Sequence, residues 1–229
     1  MKKIGLVGGI GPASTVQYYL GLIEVGRRTL GVYPEIVIDS VDMAAHDRAL
    51  AARDDDGLCR SLLASLSGLK AAGAEIAAIT ANAEHIVWDQ IRGRSPLPLI
   101  SIMDAAAGEI LRAGFRRVLV FGTAVTLRSR LYEAALAPHG VTAIIPSDAD
   151  IDRIDRLIYP NLENGIVCPA DRKQLIDLAE AYIAKEQADA LLLACTELPL
   201  AIKAEDISVP VLDSAALHIQ EIFRTAARP

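Results

Sequence analysis

The 229-residue chain is 52% apolar and 23% charged, enough to bury a real core in a length that suits one large domain or two small ones. Its net charge of -6, with no Lys/Arg cluster beyond "GRR" and "FRR", argues against a phosphate-backbone binder, so nucleic acid is not expected as a partner. No stretch reaches the roughly 18 consecutive apolar residues that span a bilayer, and the opening "MKKIGLVGGIGPAS" meets Gly and Pro too early for a signal peptide, so a cytoplasmic protein with no membrane partner is expected.

The first apolar run, "IGLVG" (Ile4 to Gly8), is short and continuous, which predicts a parallel strand covered on both faces. The turn "GGIGPAS" that follows invites a dinucleotide reading. Ser14, however, stands where G-x-G-x-x-G needs its third glycine, and Asp39 lies well beyond the roughly twenty-residue offset of a ribose-binding acid. Gly9 and Gly11 are better explained as positions where backbone N–H groups approach a carboxylate, and no dinucleotide is expected. A second strand, "EIVID", leads to "AAHDRAL", which places Arg48 just beyond it. The helical segment "LCRSLLASLSGLKAAG" then feeds the strand "IAAIT", whose end is the polar cluster "TANAEH" (Thr80 to His85), and "LPLIS" reads as a fourth strand.

From Arg116 the pattern starts again. "RRVLVFGTAV" resembles "KKIGLVGGIG" at Lys2, "AKEQADALLLACTEL" resembles "AAGAEIAAITANAEH", and "ISVPVLDSAALHIQEIF" resembles "SPLPLISIMDAAAGEIL". Each offset is about 113 residues, too long for a solenoid repeat and suited to a duplicated domain. The expected architecture is α/β, with two pseudo-symmetric doubly wound lobes of parallel sheet. No Gly/Ser linker marks the crossings; the first lobe is placed at 1–98 plus 208–229 and the second at 99–207.

Open parallel sheets bind ligands outside the carboxyl ends of their strands. Four ends therefore matter together: "GGIGP", "TANAEH", "GTAVT" and "CTE". The buried run "ALLLA" fixes the backbone, so that Cys195, the first residue past it, is presented by a rigid element. If equivalent strand ends approach one cleft from opposite sides, the counterpart of Cys195 is Ala81, a methyl group where a second acid or base would be sought.

The segments "IGLVGGIGPASTVQYY", "TANAEHIVWDQI", "GTAVTLRSRLYEAAL", "CTELPLAI" and "VPVLDSAALHIQEIF", in this order over nearly the whole chain, resemble the aspartate/glutamate racemase family. The resemblance implies two α/β lobes with the active site between them, cofactor-independent racemization of an acidic amino acid, and a homodimer. In such enzymes two cysteines flank Cα, one removing the α-proton and the other protonating the opposite face. The first usually lies in "CNT.H" and the second in "CTE". Carried over by position, the second thiol is Cys195 and the first is residue 81, which here is alanine. The motif reads Ala81-Asn82-Ala83-Glu84-His85, so both the thiol and a neighbouring hydroxyl are missing. Thr80 does not simply stand in, because adjacent strand residues point to opposite faces. The resemblance also matches Arg48 to an arginine that binds the substrate's side-chain carboxylate in the aspartate-specific branch, a task suited to a guanidinium's two parallel bonds.

Each candidate has a plainer reading. Cys195 beside a helix starting near Leu198 is expected to have a lowered pKa, although most cysteines are small buried hydrophobes. Glu197 either relays protons to the thiol or caps the following helix. Asn82, Thr123, Thr126 and Thr196 offer donors for an α-carboxylate and a carbanion, or serve as turn and cap residues. Arg48 is alternatively a solvated loop arginine near "DDD" at Asp54 to Asp56. Cys59 and Cys168 are taken as structural, with no metal spacing, and His85 and His218 as core histidines. The functional readings are a PLP-independent racemase of aspartate or glutamate, impaired or one-sided at residue 81; a single-cysteine lyase similar to arylmalonate decarboxylase; and a catalytically silent binder of an acidic ligand.

Overall fold

The computed structural model describes residues 1–228 and contains two sheets, each of four parallel strands. The first is built from β1 (Ile4–Gly8), β2 (Ile36–Ser40), β3 (Ile76–Ile79) and β4 (Leu99–Ile100), in the order β2-β1-β3-β4. The second is built from β5 (Arg117–Gly122), β6 (Thr142–Ile144), β7 (Ala190–Ala194) and β8 (Val211–Asp213), in the order β6-β5-β7-β8. The two orders are the same permutation, which is the structural counterpart of the repeated sequence pattern. All pairs are parallel, with Ile4 opposite both Ile36 and Ile76 in the first sheet and Val118 opposite Ala190 in the second.

Residues 1–102 and 218–229 form the first compact unit and residues 103–217 the second. The chain stays with the second sheet ten residues past the expected return at 208, because Val211, Leu212 and Asp213 pair with Leu191, Leu192 and Leu193. The short strand "VPVLD" thus belongs wholly to the second unit, and the helix after it carries the chain back.

In the first unit, α1 (Pro12–Leu30) starts at Pro12 and stops at Gly31, whose φ of 67° supplies a left-handed cap. Asp42 caps α2 (Met43–Ala52) by accepting from the Ala45 N–H, and Asp54 caps α3 (Asp55–Ala71) by accepting from the Gly57 N–H. Leu58, Leu62, Leu66 and Leu69 recur at helical spacing along α3 and are at most 1% exposed. Each contributes about 1.5–3 kcal/mol by leaving water. Beyond β3 a 3-10 turn (Ala83–Val87) runs into α4 (Trp88–Ile91), and α5 (Ile102–Ala113) leads to the second unit.

The second unit holds α6 (Ala124–Arg128), α7 (Leu131–Leu136), α8 (Asp148–Ile158), α9 (Pro169–Glu186) and α10 (Leu198–Ala201). Helix α11 (Ser214–Ala227) begins there and ends in the first unit, where the Lys2 N–H donates to the Ala226 carbonyl. Strands β1, β3 and β7 are buried at every residue, as expected of parallel strands covered on both faces. Among the described residues, no helix is long and apolar enough to cross a membrane.

Candidate functional site

At the end of β1, Gly9 has a φ of 86°, and a Cβ there would stand 2.6 Å from the Val41 carbonyl oxygen. Only glycine fits this close approach. Its N–H is already donated to the Thr15 hydroxyl at 2.8 Å, so Gly9 serves through its backbone turn and not as a free donor to a ligand. Gly11 sits at the N-cap of α1, with its carbonyl accepting from the N–H and hydroxyl of Thr15. Ser14 and Thr15 in turn bind this turn to β3: Ser14 donates to the Thr80 carbonyl at 2.8 Å, and the two threonine hydroxyls lie 3.4 Å apart.

At the end of β3, Thr80 is fully buried and donates its hydroxyl to the Val7 carbonyl at 3.1 Å. It is occupied in joining strands. Ala81 and Asn82 follow, 8% and 6% exposed. His85 closes the turn, its Nδ1–H donating to the Ala81 carbonyl at 2.9 Å while its ring stacks on Trp88 at 5.1 Å. Burial pulls its pKa down to about 4. His218 is likewise buried. Its Nε2–H donates to the Ile100 carbonyl, its Nδ1 accepts from the Tyr18 hydroxyl at 2.9 Å, and burial draws its pKa to about 3. Both histidines are neutral core groups that fix the ends of β3 and β4.

Arg48 lies on α2, not in a loop, and is exposed with no ion pair among the described residues. The nearby aspartates have separate work: Asp54 is the cap of α3, and Asp55 and Asp56 occupy its first turn, where carboxylates are favoured.

In the second unit, Thr123 caps α6 after β5, its hydroxyl 3.2 Å from that of the buried Thr126. The Ala124 N–H is taken by Asp155 at 2.7 Å. At the end of β7, Cys195 is 5% exposed and its Sγ–H donates to Glu197 Oε2 at 3.2 Å; the Thr196 hydroxyl donates to the same oxygen at 2.8 Å. Glu197 occupies the N-cap position of α10, but its side chain caps no helix N–H; its carboxylate instead accepts from the Cys195 thiol and the Thr196 hydroxyl.

The expectation of a lowered thiol pKa is corrected here. Burial pushes Cys195 well above the ordinary cysteine range and the Glu197 carboxylate adds to the rise, while the N–H groups of Glu197 and Leu198 pull the other way and lose. Helix α10 has only four residues, too little aligned backbone to offset the loss of water. At neutral pH the group is a thiol. Cys59, on α3, donates to Gln90 Oε1 at 3.2 Å, and Cys168 stands at the N-cap of α9. Among the described residues, no three His, Cys, Asp or Glu side chains are placed to hold a metal.

Residues 7–222 match the model of the family described as Asp/Glu/Hydantoin racemase. The chain belongs to that family. An aspartate racemase homologue from Pyrococcus horikoshii OT3 is 35% identical, with a TM-score of 0.87 and full coverage of both chains. A putative Asp/Glu racemase from Yersinia pestis is 31% identical, with a TM-score of 0.92, again over both whole chains. The Bacillus subtilis (strain 168) protein named broad specificity amino-acid racemase RacX is 24% identical over 93% of each chain.

For this racemase-family chain, Glu84 and His46 were not singled out in the sequence, yet both are buried charged-type groups beside the end of β3. Neither is marked in the sequence: His46 is followed by Asp47 and Arg48, and Glu84 stands next to His85 in a 3-10 turn.

Proposed function

We propose that the protein transfers a proton at Cα of an acidic amino acid, aspartate or glutamate, with Cys195 as its one catalytic thiol and no cofactor. The observation that carries this reading is the Cys195 thiol at the end of β7, hydrogen-bonded to Glu197 at 3.2 Å. A thiol held in its protonated form is an acid: it gives its proton to a carbanion on one face and leaves a thiolate beside a carboxylate, an unfavourable neighbour that draws a proton back. Thr196 and Glu197 form the path for that return. Residue 81 offers only a methyl group, so a water or a nearby hydroxyl serves the opposite face, and exchange is slow and one-sided. Arg48 takes the side-chain carboxylate with two parallel bonds. Asn82, Thr123, Thr126 and Thr196, with the turn at Gly9 and Gly11, hold the α-carboxylate and the developing charge.

Incubation with each enantiomer of aspartate and glutamate in D2O tests this. Deuterium at Cα, faster from one enantiomer and absent in Cys195→Ala, is the expected result; no deuterium from any of the four discards it. Ala81→Cys should give a large gain if only the second base is missing.

A second reading rests on the same protonated thiol. A carbanion formed by loss of CO2 needs an acid and no opposing base, which suits a single-thiol lyase. Release of CO2 from substituted malonates without amino-acid exchange selects it. Tight binding of an acidic ligand without turnover, unchanged by Cys195→Ala, selects a silent binder. We further propose a cytoplasmic homodimer; the apolar residues Val16, Tyr19 and Leu20, exposed on one face of α1, support association, and sedimentation tests it.

A further inference from the structure

Glu84 lies in the 3-10 turn after β3, two residues beyond Asn82, and is 1% exposed. Among the described residues, neither of its carboxyl oxygens has a hydrogen-bond partner. Such a group is costly to bury as an anion and still costly as an unpaired acid. Beside it stands the imidazole of His46 on α2, itself 2% exposed. His46 Nε2 is bonded to the Ser61 hydroxyl at 2.8 Å, while Nδ1 has no hydrogen-bond partner among the described residues and stands 3.9 Å from Glu84 Oε1. Two buried orphans therefore face each other about 1 Å beyond hydrogen-bond range, a gap that a small rotation of either side chain closes.

The position of His46 gives the pair its significance. It is the one fully buried residue of α2, so the helix that carries Arg48 is anchored to its unit by an imidazole, with Ala49 and Leu50 only partly buried beside it. The opposite member of the pair belongs to the turn that carries Asn82. A bond between them ties one proposed substrate-binding element to another within the same unit.

We propose that Glu84 and His46 share a single proton in a buried carboxyl–imidazole couple, and that this couple fixes α2 so that Arg48 meets the substrate's side-chain carboxylate. Glu84 is then a positioning residue. The proton sits on Oε1 in one form and on Nδ1 in the other, and the couple is neutral overall in both. Adding or removing a proton leaves a net charge in a dry site and breaks the tie. Burial, with a smaller push from Asp47, raises the Glu84 pKa to about 7 against the pull of its own backbone N–H; burial also lowers His46, against the pull of Asp47 and Asp42. These are the charges that reach the couple. From α3 it meets the neutral hydroxyl of Ser61, with Ser65 one turn further on, and the adjoining His85 is itself held neutral.

The inference rests on the reading of Arg48 given above, so its test has one arm that needs no turnover. In the whole protein carrying 15N-labelled histidine, the His46 ring resonances are followed against pH in wild type, Glu84→Leu and Glu84→Gln. The couple predicts a change of about one pKa unit or more in His46 on Glu84→Leu, together with faster amide hydrogen exchange along α2. An unchanged His46 titration overturns it. With turnover of aspartate or glutamate, Glu84→Leu is expected to raise KM about tenfold with kcat within about threefold. Glu84→Gln, which keeps a hydrogen-bonding group but cannot ionise, should restore KM at neutral pH and remove its pH dependence near 7. A perturbed His46 with KM unchanged overturns the positioning role. Absence of any turnover in wild type fails the racemase reading instead, and the resonances and α2 exchange still decide the couple.

Discussion

His218 offers a measurable stability term. Its folded-state pKa of about 3 and that of His85, about 4, both lie below the free value of 6.5. The stability they confer is complete above pH 6.5 and drains away as pH falls toward 4 and 3. Between pH 7 and pH 5 each imidazole costs the folded state about 2 kcal/mol, because the unfolded chain takes up a proton that the folded chain refuses. Glu84 runs the other way: its pKa is raised to about 7 from 4.5, so its contribution is present below 4.5 and is lost as pH rises through 7. Over the same interval acidification returns about 2 kcal/mol. The first unit should therefore lose about 2 kcal/mol net on going from pH 7 to pH 5, with lowered His46 adding to the loss. Glutamine at 218 can donate to the Ile100 carbonyl and accept from the Tyr18 hydroxyl as the imidazole does, but it cannot titrate. His218→Gln should consequently shrink the acid-induced loss by about 2 kcal/mol, which is a difference of about 1 M in urea midpoint for a domain of this size. The sequence has one tryptophan, Trp88, stacked on His85 in the first unit, so its fluorescence reports the unfolding of that unit. Parallel pH dependences of the urea midpoint in wild type and His218→Gln would refute the assignment of His218 as a buried neutral group.

Three further outcomes are expected. Gly9→Ala forces a left-handed residue and a clash with Val41, costing about 1–2 kcal/mol from the backbone alone, and should lower the Trp88-detected melting temperature by about 5 °C or more; an unchanged melt shows that the turn relaxes freely. If Cys195 also acts as the base, α-proton exchange should keep rising with pH above the ordinary cysteine range, and Glu197→Gln, which removes a charge that raises the thiol pKa, should move the profile to lower pH; a profile that does not move leaves Glu197 without an electrostatic role. Arg48→Lys keeps the charge but loses the two-bond geometry, so KM for the acidic substrate should rise about tenfold with little change in kcat; equal KM values exclude Arg48 from carboxylate recognition.

The sheets were legible because parallel strands buried on both faces are written as continuous apolar runs, and because the repeat of about 113 residues exposed the pairing of β1 with β5 and of β3 with β7. Strand β8 was legible through the repeat, which sets "ISVPVLDSAALHIQEIF" against "SPLPLISIMDAAAGEIL", but the boundary at 208 cut it from its lobe because no linker marks the return; the pairing of Val211, Leu212 and Asp213 with β7 keeps it in the second unit. At the strand ends the residue types were readable but their commitments were not. The Gly9 N–H is consumed by Thr15, and the Thr80 hydroxyl by Val7, through contacts distant along the chain. The Cys195 thiol was misjudged in sign because a nearby helix start is visible in sequence, whereas the depth of burial and the direction of the Glu197 carboxylate are not. Glu84 and His46 meet only because two separate segments converge, and neither has a periodic signature.

The chain's double crossing has a bearing on biosynthesis. The unit that begins at Met1 is completed by residues from His218 onward, which supply the partner of Tyr18 and the carbonyl that receives the Lys2 N–H. Every residue of the other unit leaves the ribosome before them. The earlier segment, residues 1–102, must therefore wait, half-built, while its neighbour has all it needs to fold, an inversion of the usual first-made, first-folded order that leaves those residues of the nascent chain open to chaperone capture and proteolysis.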